Sequence, residues 1–81
     1  MLSITDEQGI RWDVIVGKES FGAMVFLFSR ADSDIVLRHA VSANSRLEAE
    51  QSLRDMSLDE LRSLLRDAAT WTPSAAGNNA P

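Results

Sequence analysis

Ile10-Arg11-Trp12-Asp13-Val14-Ile15-Val16 sets Ile10, Trp12, Val14 and Val16 at every second position, with Arg11, Asp13 and Ile15 between them. A period of two marks a β-strand with one committed apolar face. Upstream, Leu2 and Ile4 alternate with Ser3 and Thr5, and the polar break Asp6-Glu7-Gln8-Gly9 supplies the glycine that a tight reversal with positive φ needs. The first two strands therefore read as a hairpin. Downstream, Gly17-Lys18-Glu19-Ser20 reads as the next break, and Phe21–Ser29 as a strand apolar on both faces. Val25 and Leu27 fall on one side of it, Met24, Phe26 and Phe28 on the other. Arg30–Asp34 is dense in Asp and Ser, whose side chains bond their own backbone and favour a turn. Ile35–Val41 then alternates again, with Ile35, Leu37, His39 and Val41 opposing Val36, Arg38 and Ala40. Four sequential strands with short connections predict an antiparallel meander.

After Val41 the period changes. Ser45 with Glu48, and Ser57 with Glu60, each match the capping box, in which the serine oxygen and the glutamate carboxylate satisfy backbone donors reciprocally. In the second helix Leu58, Leu61, Leu65 and Ala68 recur at helical spacing, with Trp71 continuing that face, while Asp59, Arg62, Arg66 and Asp67 fill the wet side. The first helix is weaker: Leu47, Ala49, Leu53 and Met56 mark an approximate apolar side, and Glu50 precedes Arg54 by four residues. The expected class is α+β, a four-stranded antiparallel β-meander followed by two C-terminal α-helices packed on one face of the sheet. Residues 1–71 form the single domain in this reading, and 72–81, poor in anything large to bury, a disordered tail.

The chain has 81 residues, a formal charge of −4, no cysteine and one histidine. A domain this size buries only about 63% of the surface its unfolded chain exposes, and without cysteine it has neither disulfides nor thiolate metal sites, which leaves oligomerisation as the natural helper. The segment Met1–Glu7 lacks a basic stretch followed by an apolar run, and the longest uninterrupted apolar stretch, Ala23–Phe28, is far short of the about 20 residues that span a bilayer. Cytoplasmic residence without membrane contact is expected. Acidic residues outnumber basic ones on both sides of Val41, which argues against a chain that binds nucleic acid by neutralising phosphates.

Chemistry-bearing constellations are absent from the pattern. Gly17-Lys18-Glu19-Ser20 fails as a phosphate loop, because Trp12 occupies the required upstream glycine position and Glu19 follows the lysine. His39 lies on the side of Ile35, Leu37 and Val41 with no cysteine or neighbouring ligand, and the acidic pairs Glu48/Glu50 and Asp59/Glu60 are explained by helix N-termini. No serine has a base and an orienting partner in view. The reading is therefore a non-catalytic protein with no metal and no cofactor.

The doubly apolar strand remains. If the helices cover one sheet face, they bury only one of its two apolar sets, and the other needs a partner unless the helices split between the faces. The expected interaction surface is a helix-free face carrying Met24, Phe26 and Phe28 with Ile15 and Val36, used for homodimerisation or for another protein. In element order alone, the chain resembles the small single-stranded-DNA-binding coactivators, which dimerise through their helices. That resemblance implies a basic sheet face with stacking aromatics, for which this sheet offers Arg11, Arg38 and Lys18. An apolar small-ligand pocket between sheet and helices is a third reading.

Overall fold

The computed structural model describes residues 2–19 and 22–71. Its elements are β1 (Leu2–Thr5), β2 (Arg11–Lys18), β3 (Met24–Ser29), β4 (Val36–Ala40), α1 (Arg46–Asp55), α2 (Leu58–Asp67) and β5 (Ala69–Thr70). The strands form one antiparallel sheet in the order β1-β2-β3-β4-β5, and both helices pack against it, which is the expected α+β meander with one short strand added. The tail assigned to 72–81 lies outside the described residues.

Two hairpins close in the same way. The Asp6 carbonyl accepts from Gly9 N at 3.0 Å while Asp6 N donates to the Ile10 carbonyl at 2.8 Å; the Glu19 carbonyl accepts from Gly22 N at 2.9 Å while Glu19 N donates to the Ala23 carbonyl at 2.8 Å. Gly9 and Gly22 take φ of +84° and +97°, the left-handed residue of a bulged hairpin loop that disfavours any side chain. The break thus falls between Glu19 and Ala23, and β2 runs on through Gly17 to Lys18, two residues beyond the alternating stretch.

Asp6 anchors the first turn. Its Oδ1 accepts from Gln8 N at 2.8 Å and Ile10 N at 2.9 Å, and its Oδ2 accepts from the Trp12 indole Nε1 at 3.0 Å. The indole bond first, then the Ile10 and Gln8 amides and nearby Arg30, outweigh partial burial and hold this carboxyl below the ordinary aspartate range. A depressed folded pKa stabilises the fold at neutral pH, and that contribution is lost as pH falls below about 4. Melting Asp6→Asn beside the parent chain should therefore show a stability gap that narrows between about pH 7 and pH 3.

The helices begin as their caps dictate. At α2, Ser57 Oγ accepts from Glu60 N at 3.2 Å and Ser57 N donates to Glu60 Oε1 at 2.9 Å, a complete capping box. At α1, Ser45 Oγ accepts from Glu48 N at 3.2 Å, but the Glu48 carboxylate takes the Asn44 amide at 2.9 Å, so that box is displaced by one residue. Ser57→Ala should cost about 1 kcal/mol in denaturant melts.

The core lies between the helices and one sheet face: Ile4, Trp12, Val14, Val16, Met24, Phe26 and Phe28 from the sheet meet Ala49 and Leu53 of α1 and Leu61 and Leu65 of α2. Two expected core residues stand outside it, Leu47 at 62% and Leu58 at 46% exposure. Leu47 precedes Ala49 by two residues, more than half a turn from the buried Ala49–Leu53–Met56 line. Trp71 also departs from expectation. The second helix ends at Asp67, β5 follows, and Trp71 N donates to the Val36 carbonyl at 2.8 Å, so Trp71 extends the sheet rather than the helix. Ala69-Thr70-Trp71-Thr72-Pro73 explains the switch, since Thr and Trp favour strands and the residue before proline avoids the helical region.

Candidate interaction face

The register fixes which residues share each face. Val14 opposes Phe28 and Val16 opposes Phe26 across β2 and β3, while Leu37 and His39 oppose the same phenylalanines from β4. Met24, Phe26 and Phe28 are therefore on the helix-covered side, with exposures of 4%, 0% and 0%. These three expected interface residues are core, which corrects the sequence reading. The physical reason is area: the side with Trp12, Met24 and two phenylalanines removes more apolar surface from water than the side with Ile15, Val25 and Leu27, so the helices close over it.

The face without helices among the described elements carries the complementary set. Ile15 opposes Leu27, Leu27 opposes Arg38, Arg38 opposes Ala69; Gly17 opposes Val25, and Val25 opposes Ala40. Val36 pairs with Ser29 on this face, and strand alternation puts Trp71, hydrogen-bonded to Val36, beside it. Of the five residues expected at an interface, Ile15 and Val36 are brought together here. Leu27 and Trp71 join them, and sequence reasoning had placed neither on this surface.

Part of this face is already covered by its own chain. An added Cβ at Gly17 would stand 2.8 Å from Leu27 Cδ1, so the missing side chain is what lets Leu27 lean inward. Arg38 Nε on β4 donates to Glu19 Oε2 at 2.8 Å at the far end of β2, an ion pair that arches over β3. Beneath it Val25 and Leu27 fall to 2% and 9% exposure. Ile15, by contrast, stands 46% exposed, with half-buried Val36 and Trp71 and exposed Ala40 and Ala69 on the same face. At its β1 margin Ser3 Oγ donates to Asp13 Oδ1 at 2.8 Å and accepts from Arg11 Nη2 at 3.1 Å, a polar rim.

Comparison with known protein families, curated proteins and solved structures finds no match to this chain.

Other candidate chemistry is engaged structurally. His39 Nδ1 is 2.9 Å from the Ala40 carbonyl, so that nitrogen carries the proton and donates. Among the described residues no three His, Cys, Asp or Glu side chains cluster as a metal site, and no helix is long and apolar enough to cross a membrane. A concavity of about 320 Å³ between the first hairpin turn and α2 is bounded by Trp12, Leu37 and Leu65. Several of its polar groups already have partners: Trp12 donates to Asp6, Arg62 Nε to the Thr5 carbonyl at 2.8 Å, and Arg66 Nη1 to Glu7 at 3.0 Å. Arg30 lies 5.3 Å from the Trp12 ring centroid and is held by both oxygens of Asp32.

Proposed function

We propose that this chain is a small non-catalytic interaction module that pairs with a second copy of itself through the helix-free sheet face, centred on Ile15. One observation carries the reading: a β-branched apolar side chain is left 46% exposed within a strand whose other side is roofed by two helices. Flat antiparallel faces with small residues pack well sheet on sheet, about 10 Å apart. Gly17, Ala40 and Ala69 are small residues on this one, beside the Arg38–Glu19 pair, and Trp71 and Val36 add apolar area at its corner. The rim of Arg11, Asp13 and Ser3 supplies a polar border of the kind that surrounds an apolar interface centre.

Such a face is modest in area, so the dimer should form with a dissociation constant of about 1–100 µM. Sedimentation equilibrium over that concentration range should show a transition from 8.9 kDa to twice that mass. A chain that stays at 8.9 kDa throughout contradicts the proposal. The single-stranded nucleic-acid reading draws less support. Arg38 and Arg11 lie 2.8 and 3.9 Å from carboxylates, and Trp71 is the one aromatic residue on this face among the described residues.

A further inference from the structure

The edge of the sheet that begins with β1 has a step in it. β1 pairs only with Arg11–Val14, so on the side away from β3 Ile15–Lys18 of β2 has no strand beside it among the described residues. The hairpin closures set the phase of the ladder: Ile15 and Gly17 direct their N–H and C=O groups toward β3, and Val16 and Lys18 direct theirs outward over the step. The one described partner there is Arg46, whose Nη1 donates to the Val16 carbonyl at 3.2 Å. Arg62 treats the Thr5 carbonyl the same way on β1, so each helix sends an arginine to the same sheet edge. Beside the step, between β2 and α1, runs a groove of about 710 Å³ floored by Leu2, Val14, Val16 and Leu53.

Its rim is cationic in a chain whose net charge is −4. Glu50 pairs with Arg46 at 3.7 Å, not with Arg54, and no carboxylate among the described residues lies within ion-pair distance of Arg54. Lys18 ends the step. Two arginines, Arg46 and Arg54, thus line the groove with one carboxylate, Glu50, and Lys18 stands at the end of the strand segment beside it.

We propose that this step receives an extended acidic segment of a partner protein as an added β-strand. The segment's backbone pairs with Val16 and Lys18, the side chain opposite Val16 enters the groove under α1, and a flanking carboxylate draws Arg46 off the Val16 carbonyl and meets Arg54. Charge selects this occupant over a second copy, because two copies joined at their steps would bring Arg46 and Lys18 against their own counterparts.

The test is a titration of the ¹⁵N-labelled full chain at low salt with the peptide acetyl-Asp-Val-Thr-Val-Glu-amide and with its lysine-ended counterpart. The acidic peptide should produce saturable shifts at the Val16 and Lys18 amides and the Arg46 Nε–H. The lysine-ended peptide should bind at least about tenfold more weakly, and Arg54→Glu, an exposed substitution, should weaken the acidic peptide about tenfold. Three results would overturn the proposal: no saturable shift at millimolar peptide, equal binding of both peptides, or the same amides shifting with protein concentration alone, which would assign the step to a second copy.

Discussion

Phe26→Glu is expected to unfold the protein outright. Phe26 has no exposed surface, lies between Val16 and His39 across three strands, and belongs to the cluster that both helices close upon. Truncating a buried phenylalanine costs about 3–5 kcal/mol, against a total stability of about 5–15 kcal/mol for ordinary domains, of which a chain this short commands the lower end. A carboxylate there adds an unpaired charge in apolar surroundings. Far-ultraviolet circular dichroism and amide dispersion should show a disordered chain, while Phe26→Leu, which keeps most of the volume, should remain folded with a loss of about 1.5 kcal/mol or less. A folded, monomeric Phe26→Glu would instead place this residue at an interface and invert the assignment of the two sheet faces.

Ile15→Glu should do the opposite, sparing the fold and removing the dimer. The side chain is half exposed, so the monomer should lose about 1 kcal/mol or less, chiefly through strand preference. At the centre of a self-complementary face the substitution occurs twice, once in each copy, and sets like charges against apolar surface. The dissociation constant should rise by about 100-fold, which analytical ultracentrifugation reads directly. Dimerisation unchanged in Ile15→Glu would remove the helix-free face from consideration.

The order of elements was legible because each local signal is short-range. Alternation marked the strands, Gly9 the first reversal, and Ser57 with Glu60 the second helix, and all of these reappear in the structure. What escaped was long-range. Grouping Ile15 with Phe26 and Phe28 amounts to a register displaced by one residue, and in a sheet one residue exchanges the faces entirely. The sequence does contain the corrective signal: Ile10, Trp12, Val14 and Val16 are already committed to one face, and the larger side chains of the next strand belong with them if the helices are to cover the greater apolar area. Gly17 misled for a related reason. It looks like punctuation, yet within a strand it is the position where Leu27 needs room. The site was thus half visible. Ile15 and Val36 were identified, Trp71 was hidden by a helix that stops four residues earlier, and the covering of Val25 and Leu27 by the Arg38–Glu19 bridge depends on residues nineteen apart in sequence.

The most direct test of the central claim is an isotope-filtered nuclear Overhauser experiment on a mixture of labelled and unlabelled protein at concentrations where the dimer is populated. Cross-peaks should run from the Ile15 methyl groups of one protomer to the Val36 or Trp71 protons of the other. Intermolecular cross-peaks confined to α1 or α2, or none from Ile15 in a sample that sediments as a dimer, would contradict the assignment of this face.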